Sequence, residues 1–264
     1  MDSLLEHAGL IQTLALVFAL IAAALWERWR PRLHFQGDDG PRRVGNYGLL
    51  GVNYAVGYVI VPATAFISAS AAQVWGVGLL PTLGLPTPLQ WLIAILAIDL
   101  LGWMLHWSMH HAGVLWRIHQ VHHNDLEFDS SLGLRFHPLE TAYVALATAL
   151  GVALLGLPPE AVLVSGALTT AHNFFGHANA SLPAPLEAWL RRAVITPDLH
   201  RVHHSADRAE AMANFGVVFS IWDRLFGTLR PARAFTPDVF GLAEERDPKR
   251  LTLPRLLWLP LRRP

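Results

Sequence analysis

Histidine recurs in this sequence at spacings that place several imidazole rings on one side of a helix. The stretch LWRIHQVHH, residues 115–123, contains His119, His122 and His123, and LHRVHH repeats the His-x-x-His-His pattern at residues 199–204. Side chains three and four positions apart meet on one face of an α-helix. Imidazole serves proteins as a metal ligand and as a proton carrier near pH 7. The repeat therefore points to metal binding or to proton transfer.

Further histidines precede each triad. His106 and His110 are four residues apart before the first, and HNFFGH supplies His172 and His177 before the second. An isolated pair of this kind is usually structural, but ten clustered imidazoles would repel one another if protonated, and bound metal ions make such crowding favourable. Because ten ligands are too many for one ion, we expect two ions. The predicted ligands are His106, His110, His119, His122, His123, His172, His177, His200, His203 and His204.

Two acidic residues are candidate catalytic carboxylates. Residues 99–123 can be read as helix, in which Asp99 shares a face with His106 and His110. An ionisable group inside an apolar run usually has a partner, and metal-bound histidines commonly donate their second nitrogen to a carboxylate. We therefore expect Asp99 to support a histidine, and Glu140 to do the same, to pair with Arg135 or simply to mark the membrane interface.

The remaining histidines are weaker candidates. His7 and His34 are expected on the surface, and His111 is rotated by about 100° from its neighbour along the helix, so it should lie beside the site rather than in it. His137 is ambiguous between a ligand and a residue that supports one. Thr196-Pro197-Asp198 predicts the start of a short helix that carries the second triad.

Composition limits the class of protein. Of 264 residues, 53% are hydrophobic and 15% are charged, whereas soluble domains are about one quarter charged. This deficit indicates a membrane protein. The formal net charge of zero gives no reason to expect a nucleic-acid partner. The absence of cysteine excludes disulfides, thiolate zinc sites, iron–sulfur clusters and cysteine nucleophiles.

Apolar segments predict an all-α, multi-pass bundle of about 4–5 transmembrane helices. The spans are expected near residues 10–26, 47–66 and 89–105, followed by two short spans that turn at Leu157-Pro158-Pro159. A buried soluble hairpin is the alternative for this last pair. The segment before the first span is acidic, whereas a secretory signal begins with a basic region, so the first span is expected to be a retained helix.

Arginine and lysine predict the orientation in the membrane. The connector 69–88 and the Pro158-Pro159 turn contain neither residue type, so all 20 basic residues fall on one side of the predicted bundle. The positive-inside rule makes that side cytoplasmic. Residues 106–137 and 172–204 fall on the same side. We therefore expect a helical cap with a histidine-rich dimetal site that faces the cytoplasm, with a bacterial inner membrane as the location.

Three regions are expected along the chain. Residues 1–88 would form N-terminal transmembrane helices and a linker, residues 89–230 a catalytic domain, and residues 231–264 a tail that lies on the bilayer surface or is disordered. Within the second region, the segment NFGVVFSIWDRLFGT is interpreted mainly as packing. Asp223 in that segment could cap a helix or support a histidine.

At these motifs the sequence resembles the fatty acid hydroxylase/sterol desaturase superfamily of integral-membrane di-iron oxygenases. The resemblance covers residues 99–227 and rests on HWSMH, LWRIHQVHH, RFHPLE, GHANASLP, TPDLHRVHH and NFGVVFSIWDRLFGT. It implies a membrane bundle with a cytosolic two-metal site that uses O₂ and electrons to oxidise a lipid C–H bond. The superfamily's ligands map onto His106, His110, His119, His122, His123, His177, His200, His203 and His204. The interval in HNFFGH is longer than one helical turn, which makes His172 a less certain ligand than His177.

The expected function is therefore lipid hydroxylation or desaturation. The cofactors would be two iron ions, with zinc possible in purified protein, and O₂ would be the co-substrate. No G-x-G-x-x-G motif follows a strand, so electrons should come from a ferredoxin or a cytochrome with its reductase. A membrane zinc hydrolase is disfavoured because His-Glu-x-x-His is absent. A metal transporter is disfavoured because transport sites lie near the bilayer midplane, whereas these histidines cluster at helix ends.

Overall fold

The computed structural model describes residues 2–35, 40–60, 65–230 and 239–262. These residues are helical or irregular and contain no strand, which confirms the all-α prediction. The α-helices are α1 Asp2–Trp29, α2 Gly40–Ile60, α3 Ala65–Trp75, α4 Leu79–Thr82, α5 Thr87–His111, α6 Gly113–His123, α7 Pro138–Leu155, α8 Pro159–Gly176, α9 Ala184–Leu190, α10 Pro197–His203, α11 Arg208–Ala211, α12 Ile221–Leu225 and α13 Leu253–Trp258. Short 3₁₀ helices lie at Ser130–Leu134, Pro248–Arg250 and Leu259–Leu261.

Three helices in the described part are long and apolar enough to cross a membrane. They are His7–Trp29 within α1, α5, and α7. The predicted span at 47–66 overlaps α2, which ends at Ile60, and residues 61–64 lie outside the described part. The predicted pair of short spans forms α7 and α8, joined at Gly156. Membrane crossing by α2 and α8 stays a prediction.

The long helices pack through small residues. Ala69, Ala94 and Ala161 are completely buried where α3, α5 and α8 meet, and small side chains let membrane helices approach closely. The tight turn between α7 and α8 depends on Gly156, whose φ of +63° is left-handed. A Cβ atom there would lie 2.8 Å from the Val77 carbonyl oxygen, so no larger residue fits.

Helices α1 and α8 run parallel. Gln12 near the start of α1 donates to the Leu163 carbonyl near the start of α8 at 2.9 Å, and Trp26 near the end of α1 stacks on Phe175 near the end of α8. Helix α7 precedes α8 through a tight turn, so it runs the other way. The C-terminal ends of α1 and α8 and the N-terminal end of α7 therefore lie together at one end of the bundle.

The interpretation of residues 99–123 as one helix is wrong at its centre. Helix α5 ends at His111, Ala112 is extended with φ −98° and ψ 115°, and α6 begins at Gly113. In a continuous helix, thirteen residues would separate His110 from His123 by about 20 Å along the axis. The break turns α6 back, so that the Nε2 atoms of these two residues lie 3.2 Å apart.

The described part of the C-terminal tail is folded onto the rest of the chain. Leu256 of α13 is completely buried against Leu49 of α2 and Val121 of α6. Arg117 of α6 donates to the Pro260 carbonyl oxygen at 2.8 Å. The tail thus packs against α2 and α6, while Trp258 is exposed. Contact of the tail with a bilayer stays a prediction.

Candidate metal centre

Nine of the ten predicted ligands meet in two adjacent groups of buried imidazoles. Within each group, one ring nitrogen per residue lies within 4.8 Å of the others. The five-histidine group consists of His106, His110, His119, His123 and His203, and the four-histidine group consists of His122, His177, His200 and His204. Each group is large enough to hold one metal ion.

Each His-x-x-His-His triad is divided between the two groups. Helix α6 gives His119 and His123, four residues apart, to the five-histidine group and His122 to the other. The second triad, which begins in α10, does the reverse: His200 and His204 enter the four-histidine group. Residues four apart lie close together on a helix, whereas adjacent residues such as His122 and His123 are about 100° apart around it and can face different groups. The two triads therefore interlock around two neighbouring positions.

Distances within the four-histidine group fit ligands around one ion. The Nε2 atom of His177 lies 2.9 Å from Nε2 of His200 and 3.2 Å from Nε2 of His122. The Nε2 atoms of His200 and His204 are 3.2 Å apart. Two imidazole nitrogens bound tetrahedrally at about 2.0–2.1 Å from a metal would lie about 3.3 Å from each other.

Within the described part of the chain, three ligand candidates of the five-histidine group have a buried Nε2 atom without a hydrogen-bond partner: His106, His119 and His203. Leaving a buried polar atom unsatisfied costs about 1–3 kcal/mol. A metal ion that accepts these lone pairs would remove that cost. The orphaned atoms and the all-imidazole donor set therefore fit a bound transition metal.

The outer ring nitrogens of these three histidines are all engaged. Nδ1 lies 2.9 Å from the Phe215 carbonyl oxygen in His106, 2.7 Å from the Ala213 carbonyl oxygen in His203, and 2.7 Å from a Glu140 carboxylate oxygen in His119. Each acceptor fixes the tautomer that carries hydrogen on Nδ1, which leaves the Nε2 lone pair facing the group. Metal-bound histidines in proteins are commonly oriented in this way.

Backbone carbonyls do the same in the four-histidine group. Nδ1 of His122 lies 3.2 Å from the Arg135 carbonyl oxygen, and Nδ1 of His177 lies 2.7 Å from that of Asn173. Arg135 is completely buried, and its guanidinium donates to the Val121 carbonyl oxygen and to Asn46. Arg135 therefore links the C-terminal end of α6 to α2 and stabilises it.

Burial keeps the imidazoles outside the membrane helices neutral. Desolvation, together with the charge of neighbouring rings, holds the pKa of each of these groups well below its usual value: His119, His122, His123, His200 and His204. Desolvation also lowers the pKa of His177 to about 4. Neutral imidazole is the form that binds metal, so these six ligand candidates need not lose a proton at neutral pH.

The buried ion pairs beside the centre connect it to α2. Arg42 contacts the carboxylates of Asp125 and Asp129, which follow α6 in the chain. Burial alone would raise the pKa of Asp129, but the Arg42 guanidinium lowers it below its usual value. Asn46 of α2 also donates to Asp125, at 3.0 Å. This network fixes the segment between α6 and the 3₁₀ helix Ser130–Leu134.

The two predicted carboxylates occupy different positions. Glu140, in the first turn of α7, contacts His119 as expected, and it is not paired with Arg135. Asp99 instead accepts hydrogen bonds from the backbone N–H groups of Val218 and Phe219 and from Trp222 Nε1. Asp99 precedes His106 by seven residues, about 10 Å along α5. At that level the helix faces the loop rather than the imidazoles.

Five histidines of the described residues lie outside both groups, and two of them, His7 and His34, are exposed as expected. His172 Nε2 contacts the Ile195 carbonyl oxygen at 2.8 Å, and because His172 lies in α8 five residues before His177, the two side chains point to different sides of the helix. His137 accepts a hydrogen bond from Leu139 N and so caps α7. His111 is exposed and stacks on Trp107.

Local sequence signals explain part of this geometry. Thr196 caps α10 through its side chain, and Pro197 follows in the first turn, as the sequence predicts. The carbonyls of Ala213, Phe215 and Asn173 are partners that sequence analysis missed, since a backbone acceptor carries no residue signature. The Phe215 ring also contacts the rings of His106 and His110. The segment 214–228 thus does more than pack.

Comparisons with known proteins agree with these features. The family model "Fatty acid hydroxylase" matches residues 91–228. Alkylglycerol monooxygenase of Caenorhabditis elegans is 28% identical over 162 residues, which are 61% of this chain and 31% of that protein. Ornithine lipid hydroxylase OlsE of Rhizobium tropici is 31% identical over 187 residues, 70% of this chain and 52% of that protein. The human alkylglycerol monooxygenase is 31% identical over 143 residues, 54% and 31% of the two chains.

This chain thus spans about one third to one half of the length of the curated relatives that it matches. No solved structure matches it.

Proposed function

Because this chain belongs to the fatty acid hydroxylase family, we propose that it is a membrane-bound monooxygenase that hydroxylates a C–H bond of a lipid. The observation that carries the proposal is the convergence of nine buried imidazoles into two groups. Histidine pairs with a purely structural role, or histidines exposed on the surface, would have no reason to converge in two buried groups. The proposed roles of individual residues follow from their contacts.

The proposed cofactors are two iron ions, one in each histidine group. Imidazole ligands suit iron and zinc alike, so the choice of iron rests on the family and on the redox chemistry. Iron bound there would supply the activation of O₂ and the abstraction of hydrogen from an alkyl chain. The nine grouped histidines are the proposed ligands, and His172 is not among them.

The chain's own residues would orient the ligands and exclude water. Glu140 and the carbonyls of Ala213 and Phe215 hold three Nδ1–H groups outward. Aromatic rings line the imidazoles: Phe136 stacks on His122 with ring centroids 4.6 Å apart, and Trp116 lies 5.1 Å from His110. Such apolar walls strengthen electrostatic interactions inside a site and limit side reactions with water.

The proposed substrate is a membrane lipid. The relatives are named for an alkylglycerol and for an ornithine lipid, two lipids with unlike headgroups, so the shared element is a long alkyl chain. His106 and His110 lie in the last two turns of α5, a helix apolar enough to span a bilayer. An alkyl chain that leaves the bilayer at the C-terminal end of α5 would come directly to the proposed metal centre. Hydroxylation is favoured over desaturation because the relatives are named as a monooxygenase and a hydroxylase.

The reaction requires an electron donor. Hydroxylation of R–H by O₂ gives R–OH and water and consumes two electrons and two protons. The described residues contain no strand and hence no dinucleotide-binding fold. We propose that a ferredoxin or a cytochrome with its reductase supplies the electrons. A cytoplasmic orientation in a bacterial inner membrane, inferred from the arginine distribution, would give such a partner access.

Comparative lipid analysis under ¹⁸O₂ tests this function. Cells that express the chain together with a ferredoxin and its reductase should gain a lipid that carries one ¹⁸O atom. His203→Ala should abolish that product, whereas His111→Ala, which changes an exposed histidine outside both groups, should retain it. A product that lacks two hydrogens and contains no ¹⁸O would indicate desaturation instead. No new lipid from a well-folded, iron-loaded chain would contradict the proposal.

A further inference from the structure

Asp223 is a completely buried carboxylate outside both histidine groups. It lies in α12 and accepts four hydrogen bonds. The donors are Trp103 Nε1 at 3.1 Å, the Phe215 N–H at 2.8 Å, the Gly216 N–H at 2.7 Å and Thr228 Oγ at 2.6 Å. This residue therefore links helix α5, through Trp103, to the loop that covers the five-histidine group.

One peptide group connects Asp223 to a proposed ligand. The Gly216 N–H that donates to Asp223 belongs to the same amide as the Phe215 carbonyl, which accepts from His106 Nδ1 at 2.9 Å. A carboxylate, an amide and an imidazole thus stand in one hydrogen-bonded chain. Consecutive hydrogen bonds polarise one another in a low-dielectric interior. The carboxylate makes the Phe215 carbonyl a stronger acceptor and fixes its direction.

We infer that Asp223 is a positioning residue for the five-histidine group, acting on His106 through the Phe215–Gly216 peptide. The inference rests on the proposed metal centre. In the same group Glu140 contacts His119 directly at 2.7 Å. The five-histidine group thus has two carboxylate-supported ligands. In the four-histidine group, by contrast, Nδ1 of His122 and Nδ1 of His177 contact the backbone carbonyls of Arg135 and Asn173. Support by Asp223 should therefore act on one metal position and not on the other.

The glycine in this peptide is required by the close approach of the carboxylate. A Cβ atom on Gly216 would lie 2.8 Å from the Asp223 carboxylate, 2.7 Å from Ile195 Cγ1 and 2.7 Å from the Phe219 carbonyl oxygen. Contacts of this length do not occur for real Cβ atoms. A side chain at 216 would thus push the amide away from Asp223 and rotate the carbonyl that His106 contacts.

Asp99 provides a matched comparison on the same loop. Its carboxylate accepts from the Phe219 N–H at 3.1 Å, and the carbonyl of that same amide, on Val218, accepts from the Ile195 N–H at 2.9 Å. Asp99 is buried, lies on α5 and anchors the loop as Asp223 does. The hydrogen bonds that start at Asp99 thus end at the backbone N–H of Ile195, whereas those that start at Asp223 end at the imidazole of His106. Both carboxylates therefore anchor the loop, whereas only that of Asp223 is also connected to a proposed ligand.

Measuring Fe²⁺ affinity in two single-site backgrounds tests the inference. His204→Ala leaves the five-histidine group intact, and His203→Ala leaves the four-histidine group intact. Asp223→Asn and, separately, Asp99→Asn are introduced into each background, and Kd is measured by anaerobic equilibrium dialysis of the purified chain. Loss of a residue that supports a metal ligand typically weakens binding by about 10–100-fold. Asp223→Asn should cause that loss at the five-histidine group only, and Asp99→Asn should leave both affinities near their parent values.

The possible outcomes are distinguishable. If Asp223→Asn weakens both groups equally, or neither, the inference fails while the metal centre stands. If the unaltered chain binds Fe²⁺ at neither group, the proposed function fails, and this inference fails with it.

The variant Asp223→Asn could fail to fold, which would be seen as loss of a cooperative melt without metal. In that case Trp103→Phe removes a single hydrogen-bond donor to the same carboxylate and keeps an aromatic ring. A few-fold loss confined to the five-histidine group would then support the inference, and an equal loss at both groups would overturn it.

Discussion

The Nδ1 atom of His119 lies 2.7 Å from Oε1 of Glu140, and both side chains are buried. The second carboxylate oxygen of Glu140 has no partner among the described residues. Glu140 enters the site from the first turn of α7, so the start of a helix that is long and apolar enough to cross a membrane is tied directly to a proposed metal ligand. This pair is the direct carboxylate contact of the five-histidine group.

Replacement of Glu140 by Gln should weaken metal binding at the five-histidine group by about 10–100-fold. The amide is a poorer acceptor than the carboxylate and no longer stabilises the imidazole when it binds a cation. Fe²⁺ affinity in the His204→Ala background measures the effect. Glu160→Gln, at the opposite end of the α7–α8 hairpin, is the matched control and should not alter affinity. Unchanged binding by Glu140→Gln would show that the contact is only structural.

His172→Ala should retain both metal ions, whereas His177→Ala should lose the ion of the four-histidine group. His172 contacts the Ile195 carbonyl oxygen and lies outside both groups. Its removal leaves that buried acceptor unpaired, which should lower the free energy of unfolding by about 1–3 kcal/mol. Metal content and thermal melts separate the two effects. His172→Gln, which can still donate, should recover part of the stability. Loss of a metal ion from His172→Ala would make this residue a ligand.

Thr196→Ala should destabilise the chain by about 0.5–2 kcal/mol, the usual cost of losing a helix cap. The Thr196 hydroxyl caps α10 by accepting from the Leu199 N–H, and it also donates to Glu187. Since the second triad begins in α10, the loss should weaken metal binding at both groups. Thr196→Ser keeps the hydroxyl and should behave like the parent chain in melts and in Fe²⁺ titration. Equal behaviour of Ala and Ser at this position would contradict the capping role.

Sequence reasoning predicted the clustering of nine of the ten histidines because the signals are local. Helical spacing and composition predicted helices, clustered imidazoles and the cap at Thr196. The break at Ala112 was missed, although Gly113 follows it and glycine disfavours a helix interior. Spacing alone cannot show such a break when the residues on both sides favour a helix.

The division of the triads could not be predicted from either triad alone. It depends on how the two triads pack against each other, which places His122 in one group with His200 and His204. For the same reason the expected partner of Asp99 was wrong. A carboxylate's neighbours are set by which loop packs against its helix, here residues 218–222. Contacts between distant segments carry no periodic signal.

Metal analysis of the purified chain and two single variants tests the central claim most directly. After anaerobic loading with Fe²⁺ and removal of excess metal, the unaltered chain should hold two ions. His203→Ala and His204→Ala change adjacent residues that belong to different groups, and each should hold one, whereas the double variant should hold none. His111→Ala should still hold two. If the adjacent single variants lost both ions together, or if neither lost any, the account of two separate histidine-bound ions would be contradicted.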